Sequence, residues 1–298
     1  MDMRQLRYFC TIAREGQITR AAQVLNMAQP PLSQQLKQLE NELGVLLFER
    51  NGRSMELTES GKLLYRRAMS LLSQLEDVAE EVRETEEGIR GPLSIGAVAS
   101  GLNLIAYGIS EFRRKYPQVT FLLREGDSYK LCEAVKKREI EFAIVQLPLE
   151  PQEQENLSII LLPKDSFVCL IPKAWTAELG TAPIRLSALA EHPLLLLRRA
   201  QGMGIYEMIV GEYRRLGLVP RIVCECQDAS MLLTMVAAGI GATLVPSTIY
   251  AAFARPDVTM LTMEELTLTT QSAIVWLRDR HLSKRAQQFI ELCQKKFT

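Results

Sequence analysis

The stretch from Ile18 to Leu43, ITRAAQVLNMAQPPLSQQLKQLENEL, restricts what the chain can fold into more than any other segment. It reads as two short helices meeting at a tight corner. Ala21, Ala22, Val24 and Leu25 give the first an apolar stripe, and Asn26 to Gln29 form the turn. Pro30 and Pro31 suit the opening of the second helix, where φ is already near helical values and no amide donor is needed. Leu32, Leu36, Leu39 and Leu43 then recur at spacings of four, three and four, one buried face. The other face carries Ser33, Gln34, Lys37 and Gln38. Such a helix can be an ordinary hairpin arm with a solvated face. It can also be the reading helix of a helix-turn-helix, whose N-terminal residues meet base edges in the major groove.

The flanking chain decides between these. Leu6, Phe9, Cys10 and Ala13 stand at helical spacing ahead of Gly16 and are expected to pack under the corner, with Thr19 capping the next helix. After Gly44, VLLFER and NGRSMELT read as two short strands around Asn51-Gly52, a strong hairpin signal. Helix, helix-turn-helix and two-stranded wing make a winged helix-turn-helix over residues 1–57. The candidate DNA contacts are Thr19, Gln29, Pro30, Ser33, Gln34 and Lys37, with Arg50 and Arg53 on the wing beside phosphate. The net charge of zero excludes a chain basic throughout. Residues 1–67 nevertheless hold ten Lys and Arg against seven Asp and Glu, while 68–91 hold two against seven.

Thr58 can cap a long helix over 58–88. Its apolar positions Leu64, Ala68, Leu71, Leu75, Val78 and Val82 are spaced four, three, four, three, four, a heptad seam. A helix of about thirty residues is about 45 Å long. An identical helix is the simplest partner for its seam; the following domain of the same chain is the alternative. Pairing would present two reading helices to an approximately palindromic site in double-stranded DNA.

Gly88-Ile89-Arg90-Gly91-Pro92 breaks the pattern, and 89–298 alternate strands with helices. Strands are expected at 93–98, 119–125, 141–147, 157–162, 166–171, 194–197, 221–226, 242–245, 258–261 and 268–278, with helices between. That alternation predicts mainly parallel sheets, covered on both faces. About 200 residues predict two lobes: lobe 1 from 92–162 and 268–298, lobe 2 from 163–267, with crossings near Leu162 and Thr267. The fold class is α/β behind a helical front end.

Here the sequence resembles the LysR-type transcriptional regulators. The matching residues are LRYF at 6–9, the AAQVLNMAQPPLSQQLKQLENELG block, LLFER at 46–50, LTESG at 57–61 and VAAGIGATLVP at 236–246. The first four arrive in the family's order and spacing. The resemblance implies a winged helix-turn-helix, a dimerising linker helix and a two-lobed effector domain similar to periplasmic solute-binding proteins. It implies a homodimer and a homotetramer built as a dimer of dimers, contact with RNA polymerase, control of a neighbouring operon and frequent self-repression. Relatives commonly carry arginine after the recognition serine; Gln34 stands there, so no base preference is carried over.

Solute-binding folds hold ligands between lobes, outside the carboxyl ends of parallel strands. Ala99-Ser100-Gly101, Gly126-Asp127-Ser128 and Ala200-Gln201-Gly202-Met203 each precede a helix, so free amides and positive helix ends are expected to converge there on an anion such as a carboxylate. Ser100 and Ser128 match positions where relatives hold their effector with hydroxyls, and each is also explained as a helix cap. Some relatives place arginine at the end of the third strand; Gln146 stands there, so their specificity is not carried over. Arg198 or Arg199 can supply charge from the second lobe. Asp228 resembles a common family position and can cap the helix from Ala229. The candidate effector set is thus Ser100, Gly101, Ser128, Gln146, Arg198, Gln201, Gly202, Met203 and Asp228, with a small-molecule co-inducer and no cofactor.

Enzyme readings fare worse. The two histidines, His192 and His281, have no neighbouring serine or cysteine arrangement. Gly202-Met203-Gly204 and Gly239-Ile240-Gly241 lack a third glycine, and no P-loop is present. The six cysteines, including Cys224-Glu225-Cys226, form no metal set and read as buried thiols of a cytoplasmic protein, with a redox sensor as the alternative. No signal-peptide core or membrane span is expected. The competing function is a metabolite-binding or catalytic α/β protein whose N-terminal helices serve assembly only.

Overall fold

The computed structural model describes all residues except Gly52, Arg53, Gly88, Gln201, 265–267 and Thr298, and describes the backbone alone at Arg50, Asn51, Glu76, Asp77, Glu80, Glu81 and 83–87. Two compact units result, Met1–Glu86 and Glu87–Thr298.

In the first unit, α1 (Met3–Glu15) begins with an Asp2–Gln5 capping box and ends on Gly16 in the left-handed region. α2 (Ile18–Val24) and α3 (Gln29–Leu43) make the corner, and Gly44 ends α3, again left-handed. β1 (Phe48–Asn51) and β2 (Ser54–Leu57) pair antiparallel as the wing. α4 (Glu59–Glu87) follows. Leu6, Phe9, Ala21, Leu32, Leu36, Leu39, Leu47 and Phe48 form the core of this unit. Phe9 packs on Phe48 and Tyr65 with ring centroids 5.4 and 6.5 Å apart.

Several expectations change here. Thr19 does not cap α2: Gln17 holds that position without a side-chain bond, and Thr19 is the exposed second residue of the helix. Val24 and Leu43 are exposed rather than buried, each being the last residue of its helix. Ala68 is buried and Leu64 half-buried in the core of the first unit, so these two do not belong to a free seam. Leu71, Leu75, Val78 and Val82 are exposed further along α4.

The second unit contains β3 (Gly91–Ala97), α5 (Leu102–Lys115), β4 (Val119–Glu125), α6 (Ser128–Lys136), β5 (Phe142–Gln146), the short α7 (Pro151–Gln154), β6 (Leu157–Pro172) and the short α8 (Thr176–Leu179). It continues with β7 (Pro193–Leu197), α9 (Ile205–Arg215), β8 (Arg221–Cys226), α10 (Ala229–Ala237), β9 (Thr243–Pro246), α11 (Ser247–Phe253), β10 (Val258–Thr262), β11 (Thr269–Leu277) and α12 (Lys284–Lys295). The main sheet runs β10-β6-β11-β5-β3-β4, with β9 also on β6, and β7 pairs with β8.

The two strands expected at 157–162 and 166–171 are one strand, β6, shared by both lobes. Its first part pairs with β11 as far as Ser166 (opposite Thr269), and from Phe167 (opposite Pro246) it pairs with β9 and β10. The first crossing is therefore near Ser166 rather than Leu162, because β6 keeps its ladder with β11 four residues longer; Thr267 lies outside the described residues. The sheets are mixed, not mainly parallel. β3 is parallel to β4 and β5, and β7 to β8, but β6 and β11 return antiparallel because they carry the chain between lobes. Lobe 1 has apolar clusters on both sheet faces, one holding Phe112, Phe142 and Phe289, the other Leu131, Val135 and Val145. Lobe 2 packs around Leu195, Ile209, Tyr213 and Leu244.

Candidate DNA-reading face and interlobe cavity

The first unit offers α3. Gln29, Pro30, Gln34 and Lys37 are exposed and Ser33 is half-buried, while Leu32, Leu36 and Leu39 turn inward. Neither α2 nor α3 has a side-chain cap at its N-terminus. Both positive helix ends are therefore open to a phosphate, and Thr19 and Arg20 are exposed beside the α2 end. Arg20 was not singled out in the sequence because nothing in its spacing separates it from solvated charge. Arg50 lies on β1 opposite Met55, and Arg53 lies outside the described residues.

Two side-chain devices fix the loop at 44–47, which leads from α3 into the wing. Thr58 Oγ1 accepts from Gly61 N at 3.0 Å and donates to Leu46 O at 2.8 Å. Leu47 N donates to Glu40 Oε1 at 2.8 Å, fixing the loop between α3 and the wing.

The second unit has a cavity of about 360 Å³ between its lobes. Val98, Leu197, Ile205, Ala229 and Ile249 give it apolar walls, and Ser100, Ser128, Gln146, Arg198, Arg199 and Asp228 bring polar groups. Of the expected effector residues, Gly101 packs against Ile144 instead, where a Cβ would stand 2.7 Å from Cγ2. Gly202 and Met203 do not line the cavity either. Met203 N donates to Glu150 Oε1 at 3.4 Å, so this turn meets the 148–150 loop of lobe 1. Gln201 lies outside the described residues.

The helix ends are less open than their sequences imply. Asp127 caps α6 by accepting from Lys130 N at 2.8 Å, and Asp228 caps α10 by accepting from Met231 N at 2.6 Å. Each carboxylate occupies the positive end a ligand would otherwise use. Of the three turns expected to be open, the one ahead of α6 is thus closed by Asp127, whereas α5 and α9 have no side-chain cap at their N-termini.

Gln146 is committed to the protein. Its Oε1 accepts from Ser100 Oγ at 3.0 Å and from Ser272 Oγ at 3.4 Å, and its Nε2 donates to Gln271 O at 2.8 Å and to Thr270 Oγ1. Ser128 Oγ in turn accepts from Gln146 N at 3.0 Å. Arg198 pairs with Glu225 at 2.6 Å and lies over the Tyr206 ring at 4.7 Å. Arg199 crosses between lobes. Its guanidinium donates to Pro148 O at 3.0 Å, Ser128 Oγ at 3.2 Å and Gln146 O, all on lobe 1, and to Met203 O at 2.8 Å on its own. At the hinge, Asp165 of β6 accepts from Ser247 Oγ at 2.6 Å and Thr248 Oγ1 at 2.7 Å, and Asn103 of α5 donates to Thr248 O at 3.3 Å. No spacing rule could have found this contact, which joins positions about 80 residues apart.

Four thiols, Cys10, Cys132, Cys169 and Cys293, are buried. Burial raises Cys10 to about 11 and Cys132 and Cys293 to about 12, and raises Cys169 further. Cys224 Sγ sits 3.6 Å from Met235 Sδ in the lobe 2 packing. Among the described residues no group of histidine, cysteine and acidic side chains could hold a metal ion, and no helix is long and apolar enough to cross a membrane.

A winged helix-turn-helix followed by a two-lobed α/β unit with a cleft defines a DNA-binding regulator carrying an effector-binding domain. Residues 3–62 match the family model described as "Bacterial regulatory helix-turn-helix protein, lysR family", and residues 86–298 match "LysR substrate binding domain". The chain belongs to the LysR family of DNA-binding transcriptional regulators and is not an enzyme. It is 37% identical to the HTH-type transcriptional regulator BsdA of Bacillus subtilis, over 98% of this chain and 100% of that one. It is 33% identical to the regulator AlsR of the same organism, over 94% and 92%. It shares its fold with CbnR, solved at full length with its target DNA, at a TM-score of 0.74 and 22% identity over 99% of each chain.

Proposed function

We propose that this regulator acts in the cytoplasm as a homodimer, paired again as a dimer of dimers, that reads an imperfectly palindromic promoter site and is switched by a small carboxylate held between the lobes. Residues 1–57 contact DNA, 58–88 pair copies, and 89–298 bind the effector. The observation that carries the reading is the outer face of α3, exposed and polar at Gln29, Gln34 and Lys37 with Ser33 half-buried beside them, at a helix end with no side-chain cap. Ser33, Gln34 and Lys37 reach base edges; Thr19, Gln29 and Pro30 sit at phosphate, with Arg50 and Arg53 of the wing on the flanking backbone. Leu71, Leu75, Val78 and Val82 are supported as the pairing seam by their exposure along one stripe. Cleft closure by the effector turns one dimer against the other, altering DNA bend and contact with RNA polymerase.

Capture of genomic fragments by the purified full-length chain identifies the site, and gel shifts then test it. Ser33→Ala and Lys37→Ala each weaken the captured site by about 1–3 kcal/mol. Lys37→Ala also relaxes base choice at the position it reads. Equal affinity of wild type and both variants for the captured duplex would remove α3 as the reading helix.

A further inference from the structure

We propose that the cleft selects a singly charged carboxylate with an apolar body, its head group held by Arg199 reaching across from lobe 2, so that lobe closure is tied to ligand charge. This rests on the effector-binding reading above and narrows it.

The argument is an inventory of the charges lining the cavity. Lys130 stands 3.5 Å from Asp127, and Arg198 is paired with Glu225. Arg199 has only neutral acceptors, namely three carbonyls and the Ser128 hydroxyl, and no carboxylate among the described residues within ion-pair distance. It is thus the one lining cation without an acidic partner among the described residues. Burial also lowers its pKa from the ordinary arginine value, a loss that Glu153, Asp127 and Glu207 oppose without pairing with it. A guanidinium stays charged under such conditions, so an anion is the partner that offsets its lost hydration.

The position suits one head group. Arg199 donates to Gln146 O, and the Gln146 side chain carries Ser100 of the uncapped Ala99–Gly101 turn. Guanidinium and open turn therefore flank the same residue. A second carboxylate on the ligand would find no further free cation, and Glu125, Asp127 and Asp228 also line the cavity. The rest of the ligand meets Val98, Leu197, Ile205 and Ile249. Because Arg199 already spans the lobes, a ligand that completes its coordination strengthens the bridge, whereas a neutral isostere leaves it as it is.

The test uses isothermal titration of the full-length chain with two matched sets: benzoate, benzamide and phthalate, and isovalerate, isovaleramide and isopropylmalonate. The expected result is binding of at least one monocarboxylate about tenfold or more tighter than both its amide and its dicarboxylate. Arg199→Gln should bring monocarboxylate and amide to equal affinity, and Arg199→Lys should restore part of the preference. A purely structural Arg199 would lower both affinities together. Failure of every monocarboxylate, equal binding of acid and amide in wild type, tighter binding of a dicarboxylate, or an acid preference that survives Arg199→Gln overturns the proposal. Gel shifts on the same samples separate the two readings. Retained DNA binding with any of those results sinks only the single-charge inference, and loss of specific DNA binding in wild type sinks the regulator mechanism.

Discussion

At Gly61 a Cβ would stand 2.1 Å from the Leu47 carbonyl oxygen, a backbone atom held by the Thr58 N–H at 3.1 Å. The glycine in the LTESG motif is therefore a clearance, allowing α4 to start against the loop that leads into the wing. Gly61→Ala is expected to destabilise the first unit by about 1–3 kcal/mol, read as a lower urea midpoint for the loss of helix signal from that unit. An unchanged midpoint would show that the loop yields freely. Gly241 does the same in lobe 2, where a Cβ would meet the Pro193 carbonyl at 2.5 Å. Neither packing reason is readable from a glycine in a string of letters, though both glycines fall inside motifs the sequence singles out.

Helix α4 changes character along its length. Leu64 and Ala68 serve the first unit's core, and from Leu71 onward the stripe is exposed. Burying four such side chains against their copies contributes on the order of several kcal/mol, since each large aliphatic side chain is worth about 1.5–3 kcal/mol. Leu71→Asp combined with Val78→Asp should therefore shift the chain to monomers in sedimentation equilibrium, with the first unit still folded. Ala68→Asp should instead unfold that unit, because Ala68 is only 1% exposed. Oligomers that persist in the double variant would move the interface elsewhere.

Across the whole molecule, lobe 1 and lobe 2 are joined at the hinge by β6 and Asp165, and across the cavity by Arg199 and Glu150. A ligand that binds there acts on both joints at once. Hydrogen exchange of the DNA-free protein saturated with the monocarboxylate that binds it tightest is expected to slow at Leu147–Glu150, at Met203 and Gly204, and around Ser166. Exchange in α1 to α3 should stay unchanged without DNA. Slowing confined to one lobe would mean that the ligand does not bridge the cleft.

The sequence by itself determined what depends on local spacing: the proline-led helix with its leucine face, the left-handed glycines that end α1 and α3, the Thr58 cap, the two wing strands and the α/β alternation. These follow from backbone geometry over a few residues, which a string of letters records directly. Only the tertiary structure decided that β6 is one strand serving two lobes, that Gln146 is fully bonded, and that Arg199 rather than Arg198 crosses the cleft. Each of those outcomes depends on contacts between residues far apart in the chain. Neighbouring arginines are indistinguishable in sequence until the sheet sends one toward Glu225 and the other toward the opposite lobe.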